Sequence, residues 1–403
     1  MTTIAQQPVR MAEAPRVASA QAVPVARTRL LSIDALRGLV MVFMLVDHVR
    51  ETFFLHMTVT DPVDATTTDP ALFFTRLLST FCAPVFVALT GLSAWLYSQS
   101  HSKDETSLFL LKRGLFLLVL EVTLVGSAWA TIGFLPKTLW LQVIWAIGFS
   151  MIALAALIHL PRRWQFILGA AIVAGHNLLD PISFAPDSPF YVPWALFHDR
   201  KAFPFGIYTV KVTYPVFAWI GVILLGYSAG PWFAKGTDSE ARIRRLLALG
   251  GGMLAAFFLL RLLNIYGDKP WFVVPGEPLR TVMSFLAMTK YPPSLLFLLP
   301  TLGFGALMLA VFEKVDTSKI IPPLAVLGGA PMFFYVIHLY TLKAIYWTAY
   351  SIYGPTKGTV FGVGSVAWVW VWVAILILPL YFPTRWFAGL KQRRRDIWWL
   401  KYL

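Results

Sequence analysis

The chain has 403 residues, of which 58% are hydrophobic and only 13% are charged. A soluble domain of this length needs far more charge to cover its surface. Apolar runs of about 18 residues or more recur along most of the chain, and each is long enough to cross a bilayer as a helix. The composition therefore indicates an all-α polytopic membrane protein. It excludes a soluble enzyme, a secreted disulfide scaffold and a disordered chain.

The formal net charge is +14, and the chain has a single cysteine, Cys82. In a membrane protein, surplus Lys and Arg are typical of cytoplasmic loops that face anionic headgroups. No basic domain is present to carry nucleic acid, so we expect no nucleic-acid partner. One cysteine inside an apolar run allows neither an internal disulfide nor a cysteine-based zinc site.

The apolar runs predict about ten transmembrane helices, with eleven possible. Residues 1–28 contain no apolar core long enough for a signal peptide and are predicted to be a disordered cytoplasmic tail. Residues 29–390 are predicted to form the transmembrane domain, and residues 391–403 a basic and aromatic cytoplasmic segment. The predicted spans are approximately Leu36–Phe54, Ala71–Leu96, Ser107–Gly126, Leu139–Leu160, Trp164–Leu179, Tyr214–Phe233, Leu246–Leu263, Pro293–Phe312, Ala325–Trp347 and Phe361–Phe382.

Lys and Arg are concentrated in the N-terminal tail, in every second break between spans and in the C-terminal segment. The first loop, residues 55–70, has neither and carries Asp61, Asp64 and Asp69 instead. The positive-inside rule then predicts that both termini lie in the cytoplasm. The long stretches near 180–213 and 264–292 are predicted to lie outside.

The first predicted span contains four ionisable residues, Asp47, His48, Arg50 and Glu51. At about 1.5 Å per residue from Leu36, Asp47 lies roughly 16 Å into the membrane. Glu51 is three residues from His48 and can reach it. A histidine held by a carboxylate can act as a general base or carry an acyl group. The alternative is a charged helix end that lies among the lipid headgroups.

Other polar residues fall on the same predicted side and are candidates for substrate or oxyanion contacts: Arg76, His176, Asn177 and His338. Each also has a simpler interpretation. Arg76 can extend its charged end to the headgroups, His176 can cap a helix, and His338 can be a hydrogen-bonded core residue. The histidines lack the one-turn spacing that places two metal ligands on one helical face, so no metal site is predicted.

The stretch Arg29-Leu30-Leu31-Ser32-Ile33-Asp34-Ala35-Leu36-Arg37-Gly38 resembles the opening signature of membrane-embedded acyltransferases. That signature is shared by acetylases of bacterial surface sugars and by the heparan-α-glucosaminide N-acetyltransferase family. Later stretches resemble the bacterial branch of the second family. They are Phe81-Cys82-Ala83-Pro84-Val85-Phe86, Thr90-Gly91, Gly175-His176-Asn177, Tyr214-Pro215, Gly226-Tyr227, Tyr291-Pro292-Pro293-Ser294, Ala330-Pro331-Met332-Phe333-Phe334-Tyr335 and Trp398-Trp399-Leu400-Lys401-Tyr402-Leu403.

This resemblance implies a multi-pass protein of the bacterial inner membrane that transfers an acetyl group from cytoplasmic acetyl-CoA. The implied acceptor is an amino sugar or polysaccharide on the outer side. Lysosomal members use a histidine in the loop beyond the first span and an asparagine near the outer end of that span. By position, His56 is nearest to that histidine and Asp47 to that asparagine. The catalytic candidates are therefore His48, His56, Asp47 and Glu51.

Three hypotheses follow for the function. In the first, an acetyltransferase, Arg37, Arg113, Arg162 and Arg163 contact the phosphates of acetyl-CoA, since arginine suits bidentate phosphate binding. Its expected partners are acetyl-CoA, a glycan acceptor, membrane lipid and, as a homodimer, a second copy of the chain. The second hypothesis is a secondary transporter or a flippase for a lipid-linked substrate, although related halves typical of transporters are not visible. The third is a structural or assembly partner without catalysis.

Overall fold

The computed structural model of the chain describes residues 30–57, 59–130, 136–315, 318–394, 396–397 and 400. The predicted tail at residues 1–28 lies outside the described residues, as do positions 395, 398–399 and 401–403 of the predicted C-terminal segment.

The described residues are mostly helical. Nine α-helices, α1 to α9, lie at Leu31–Phe53, Pro70–Ser79, Cys82–Ser98, Lys103–Leu120, Gly126–Trp129, Val143–Leu157, Arg162–Gly175, Tyr191–Phe197 and Phe217–Ser228. Six more, α10 to α15, lie at Ser239–Leu263, Pro278–Leu286, Leu295–Lys314, Ile321–Gly329, Pro331–Tyr353 and Ala367–Arg393. A π-helical turn, Glu121–Val125, joins α4 to α5. Short 3₁₀ turns follow α7 at His176–Leu179 and α9 at Gly230–Phe233.

One small sheet corrects the all-α prediction. Strands β1 (Thr138–Leu141), β2 (Ala202–Phe205) and β3 (Tyr208–Val212) pair in the order β1-β3-β2, with β1 parallel and β2 antiparallel to β3. Strands of four or five residues are too short to leave a clear alternating pattern in the sequence. The predicted span Leu139–Leu160 therefore begins as a strand, and its helix starts only at Val143.

Helices lie within all ten predicted spans. Among the described residues, four helical segments are long and apolar enough to cross a membrane: Pro70–Ser98, Ser239–Leu263, Leu295–Lys314 and Ala367–Arg393. The pair α13–α14 would be a fifth. Helix α1 has 23 residues, which is about 35 Å and sufficient for a bilayer. Its ionisable residues, not its length, set it apart from the four apolar helices.

The predicted span Ala325–Trp347 consists of two helices, α13 and α14, that meet at an angle of 83°. The break falls at Ala330, directly before Pro331. Proline has no N–H to donate to the preceding helical turn, and its ring disfavours a helical conformation at the residue before it. The chain therefore changes direction here, and α14 begins as a new helix.

Helix α1 lies at the centre of the fold and packs against α2, α3, α12, α13, α14 and α15. Its closest crossing is with α13, where two glycines face the opposite backbone. A Cβ atom on Gly38 would lie 2.0 Å from the Leu324 carbonyl oxygen, and one on Gly328 would lie 1.9 Å from the Asp34 carbonyl oxygen. Glycine at both positions lets the backbones touch, as small residues do between membrane helices.

The acidic first loop is held by its own side chains. Asp64 accepts hydrogen bonds from the side chains of Thr66 and Thr67 and from the Thr66 N–H. The bonds from Thr66 are the main reason that the pKa of Asp64 is lowered to about 2. Asp69 caps α2 by accepting from the Leu72 N–H at 3.1 Å. The loop therefore has a defined shape between α1 and α2.

Candidate active site

The most unusual contact in the core joins two histidines of α1 and α14. The Nδ1 atom of His48 lies 2.6 Å from the Nε2 atom of His338. The two rings are nearly parallel, with centroids 4.9 Å apart. Both residues are buried. A pair this short requires that one nitrogen donate a proton and the other accept it.

The hydrogen bonds of His338 indicate which nitrogen donates. Its Nδ1 atom lies 2.7 Å from the Phe334 carbonyl oxygen, which can only accept, so Nδ1 carries the hydrogen. In a neutral ring Nε2 then has a lone pair and accepts from Nδ1–H of His48. The remaining ring nitrogen of His48, Nε2, is left as a bare lone pair. That nitrogen can take a proton or attack a carbonyl carbon.

Two aromatic side chains lie beside His48, and Glu121 lies near one of them, Tyr335. The rings of Trp129 and Tyr335 stand edge-on to His48, at 5.2 Å and 5.8 Å between centroids. Trp129 Nε1, Tyr335 Oη and Glu121 Oε2 are buried, and none has a hydrogen-bond partner of ordinary geometry among the described residues. Buried polar groups are normally paired. Tyr335 and Trp129 also interact with each other, whereas Glu121 Oε2 has no donor among the described residues.

Glu121 begins the π-helical turn between α4 and α5, and α5 ends at Trp129. The other carboxylate oxygen of Glu121, Oε1, accepts the Gln142 N–H at 2.8 Å. Single π-helical turns inside α-helices occur frequently at functional sites. A single acidic residue inside a predicted apolar span was the signal that the sequence offered for this position.

Beside His48, Asp47 is the centre of a buried ion network. Its carboxylate accepts from Arg50 at 2.7 Å and from Arg76 at 2.9 Å, and the Lys290 ammonium lies 3.8 Å away. Glu51 joins the network through Arg50 at 3.0 Å. Three cations face two carboxylates, so the network carries a surplus positive charge. Such a charge in a buried site can stabilise a developing oxyanion.

Neither Asp47 nor Glu51 makes a hydrogen bond with His48 among the residues that the structure describes. Their bonds go to arginines, and His338 holds the imidazole instead. The spacing of three residues that places Glu51 within reach of His48 also places Arg50 within reach of Asp47. The structure shows the oppositely charged pair, Arg50 with Asp47, and no pair of Glu51 with His48.

We expect Asp47→Asn to lower the free energy of unfolding by about 3–5 kcal/mol, because it leaves Arg76, Arg50 and Lys290 without their shared buried counter-ion. Denaturant unfolding in detergent, followed by tryptophan fluorescence, measures the change. The matched control is Glu51→Gln, whose side chain is 36% exposed and makes one ion pair. We expect it to cost less than about 1 kcal/mol. Equal losses in the two variants would contradict the network as described.

Three loops meet beside this network. Asp61 of the first loop accepts the N–H groups of Lys290 and Tyr291 at 3.0 Å and 2.9 Å. The Arg200 guanidinium stacks on the Tyr291 ring at 4.9 Å and lies 4.0 Å from Asp61. Burial raises the pKa of Asp61 despite these donors. The Tyr291 hydroxyl in turn lies 3.4 Å from that of Tyr214.

The structure places the other predicted catalytic histidine, His56, in the first loop. A Cβ atom on Gly362 would lie 2.6 Å from its Nδ1 atom, and its ring packs on Phe54 at 4.5 Å. Nδ1 has no hydrogen-bond partner among the described residues, and burial lowers the pKa of this imidazole. The structure gives no contact between His56 and His48.

Arg76 and His338 come together with His48 and Asp47, whereas His176 and Asn177 form part of a different cluster. Asn177 Oδ1 accepts the Leu295 N–H at 2.9 Å and so supports the first turn of α12. Asn177 Nδ2 donates to Asp180 at 3.0 Å. His176 lies beside Asp180 and His198.

The four arginines predicted to bind CoA separate into two pairs. Arg37 donates to Asp34 at 2.7 Å, to Ser93 of α3 at 2.9 Å and to the Gly328 carbonyl of α13 at 3.1 Å. Arg113 of α4 is close enough to Arg37 for electrostatic repulsion, and its Nε is buried without a partner among the described residues.

The second pair begins α7. Arg162 donates to the Ser228 carbonyl at the end of α9, and exposed Arg163 lies over the Trp164 ring. Arg162 thus has a structural partner in the described chain, and Arg163 faces outward.

Sequence reasoning missed five contributors to the site: Glu121, Trp129, Lys290, Tyr291 and Tyr335. Three had a signal: Glu121 is the single acidic residue of a predicted apolar span, and Tyr291 and Tyr335 belong to the stretches that carry the family resemblance. A sequence signal of this kind marks a residue or a stretch but does not give its role. The role depends on contacts between segments that are distant in the sequence.

Comparison with known proteins identifies the family. A family profile described as heparan-alpha-glucosaminide N-acetyltransferase, catalytic, matches residues 29–265, which is more than half of the chain. No curated protein matches the chain. The matched region includes His48, Asp47, Arg76, Arg37 and Arg113. The chain therefore belongs to the heparan-alpha-glucosaminide N-acetyltransferase family, and its helices and this family together make it a membrane acetyltransferase.

Proposed function

We propose that the protein transfers an acetyl group from acetyl-CoA, bound near Arg37, to an amino-sugar or polysaccharide acceptor, bound near His48. The observation that carries this proposal is the placement of both groups on one helix. Arg37 and His48 are eleven residues apart on α1, or about 16 Å along its axis. A donor site and a base lie along a single helix that is long enough to cross the membrane.

Two arginines support the donor end. Arg37 and Arg113 are like charges in mutual repulsion, and Arg113 keeps a buried N–H without a partner among the described residues. An anion between them would relieve the repulsion and supply the missing acceptor. The phosphates of CoA have this charge, and guanidinium groups bind phosphate in a bidentate manner. Arg162 and Arg163 are proposed as outer contacts of the same cofactor tail.

At the acceptor end, His48 Nε2 takes the proton of the acceptor amine or hydroxyl as the freed lone pair forms a bond to the acetyl carbonyl carbon. The carbon–sulfur bond then breaks, and the proton passes from His48 to the departing CoA thiolate. The surplus positive charge near Asp47 stabilises the oxyanion. In the covalent variant, Nε2 itself attacks the acetyl carbon, and the carbon–sulfur bond breaks to release CoA as its thiolate. The acceptor then attacks the same carbon, the carbon–nitrogen bond to His48 breaks, and the proton of the acceptor passes to the thiolate. His338 is a positioning residue in both.

We further propose that α1 enters the membrane from the cytoplasm, with ten spans, both termini cytoplasmic and the protein in the bacterial inner membrane. The concentration of Lys and Arg in alternate breaks supports this arrangement. The first loop, which carries Asp61 and no Lys or Arg, then covers the acceptor end from outside.

The decisive experiment follows radiolabelled acetyl-CoA with the purified protein in detergent, alone and with a panel of amino sugars and polysaccharide fragments. We expect release of free CoA and transfer of label. Label that stays on wild-type protein and is lost in His48→Ala identifies an acyl-enzyme. Label that reaches only an acceptor identifies direct transfer. Folded protein that neither binds nor consumes acetyl-CoA would contradict the proposal and favour a transporter or flippase.

We expect Arg113→Ala to raise the KM for acetyl-CoA about 10- to 100-fold with a smaller change in kcat, because a charge-assisted hydrogen bond to phosphate contributes about 1.5–3 kcal/mol. Steady-state kinetics of CoA release measure both constants. The matched control is Arg245→Ala, which removes an exposed arginine of α10. A KM for Arg113→Ala equal to that of the control would move the donor site elsewhere.

A further inference from the structure

Three residues with metal-binding side chains meet at the end of α7. His176 follows α7 directly, Asp180 follows the 3₁₀ turn, and His198 follows α8. Each offers one ligand atom, and the three atoms lie within 4.8 Å of one another. No contact joins these three side chains to His48 or His338 among the described residues, and none of them is a reactant in the proposed transfer.

The two histidines are buried without the hydrogen bonds that burial normally requires. His176 is 1% exposed and His198 is 3% exposed. Among the described residues, both ring nitrogens of His176 and Nδ1 of His198 lack a hydrogen-bond partner of ordinary geometry. His198 Nε2 is paired with Asp180 Oδ1 at 3.0 Å. The Pro293 backbone carbonyl interacts with the His176 ring, which leaves one nitrogen of that ring without a partner among the described residues. A buried imidazole nitrogen without a partner is unfavourable unless something else occupies it.

The carboxylate of Asp180 is held by a hydrogen bond from a neighbouring amide, as the carboxylate ligands of metal ions commonly are. Asn177 Nδ2 donates to Asp180 Oδ2 at 3.0 Å, and this leaves Oδ1 directed at His198. Asn177 is itself fixed by the Leu295 N–H at the start of α12. A held carboxylate beside two imidazoles is an arrangement suited to metal binding.

We propose that His176, Asp180 and His198 bind Zn²⁺. Two imidazoles and one carboxylate, completed by water, form a set that zinc accepts, whereas Ca²⁺ and Mg²⁺ prefer oxygen ligands. Tetrahedral zinc with bonds of about 2.0–2.2 Å places neighbouring ligand atoms roughly 3.4 Å apart. Because the three ligand atoms lie within 4.8 Å of one another, no pair has to close by more than about 1.4 Å. The bound ion would tie α7 to the segment after α8.

The test uses the full-length chain, purified in detergent with an affinity tag that contains no histidine. Protein stripped with a chelator is incubated with zinc chloride, freed of unbound metal, and analysed by elemental mass spectrometry. We expect about one zinc per wild-type chain and at least a tenfold lower content in His176→Ala and His198→Ala. The control His159→Ala removes an exposed histidine and is expected to retain zinc.

A second variant covers the case in which the buried alanine substitutions do not fold. Asp180→Asn keeps an oxygen for Asn177 and removes the carboxylate charge. Zinc should raise the Tm of wild type and leave the Tm of Asp180→Asn unchanged. Cobalt-loaded wild type should also give the visible absorption of tetrahedral Co²⁺ bound to nitrogen and oxygen. Folded wild type that retains no zinc, or equal zinc in wild type and in His176→Ala, would overturn the proposal.

Discussion

Replacing His48 with alanine is expected to lower acetyl transfer at least a thousand-fold, within the range of about 10² to 10⁴ that a positioned general base contributes. The reason is that Nε2 of His48 is the ring nitrogen that the His48–His338 pair leaves bare. The measurement is kcat from the release of CoA. We expect His56→Ala, the matched control, to stay within about threefold of wild type, since His56 packs in the first loop against Gly362. Full activity in His48→Ala with loss in His56→Ala would assign the base to His56.

The same site predicts a graded effect at His338. A leucine at position 338 cannot accept the hydrogen bond from His48 Nδ1–H, so the tautomer of His48 is no longer fixed. We therefore expect kcat to fall with little change in KM. Glutamine offers an oxygen in a similar place and should restore part of kcat. The pH profile of kcat should shift in His338→Leu and return toward wild type in His338→Gln. A purely structural role would lower the amount of folded protein and leave both profiles alike.

The second large effect is expected from Gly328→Ala. Its new Cβ would lie 1.9 Å from the Asp34 carbonyl oxygen, a backbone atom that cannot rotate away. Helices α1 and α13 would have to separate, and Arg37 would lose its bond to the Gly328 carbonyl. We expect a loss of more than about 4 kcal/mol, which is exceptional for one methyl group. The measurements are unfolding in detergent and the monodisperse fraction in size-exclusion chromatography.

Gly252→Ala is the matched control on α10, because a Cβ there meets nothing within 4 Å. Alanine in a helix is favoured over glycine by about 0.8–1.0 kcal/mol, so this variant should be as stable as wild type or more so. If Gly328→Ala were as stable as wild type, the backbones of α1 and α13 would have to lie farther apart than they do in the structure.

The helical architecture was largely predictable, because apolar length is a local property of the sequence. The break between α13 and α14 was visible only as Pro331 near the start of a predicted span, and its angle of 83° depends on packing. Strands β1 and β3 pair across about seventy residues of sequence, so no local pattern could reveal the sheet.

The contacts within the site were predictable only where neighbours share a helix. Spacing on α1 placed Arg50 within reach of Asp47, and that pair forms. The partner of His48 is 290 residues away, and Lys290 reaches Asp47 from beyond a different loop. Contacts of that kind are set by the fold as a whole. The sequence could therefore indicate His48 and His338 as candidates, but not that the second histidine pairs with the first and orients it.

Because α14 starts at the turn before Pro331, the angle of that turn determines the position of His338. His338 lies seven residues beyond it, about 10 Å along the helix. A change of about 5° in the angle at Ala330 would displace the His338 ring by roughly 1 Å, which is enough to separate its Nε2 from His48 beyond hydrogen-bond distance. The tautomer of His48 therefore depends on the backbone angle at Ala330, in a different segment of the chain. Mutations that stiffen or relax this junction would alter proton transfer without contacting either imidazole ring.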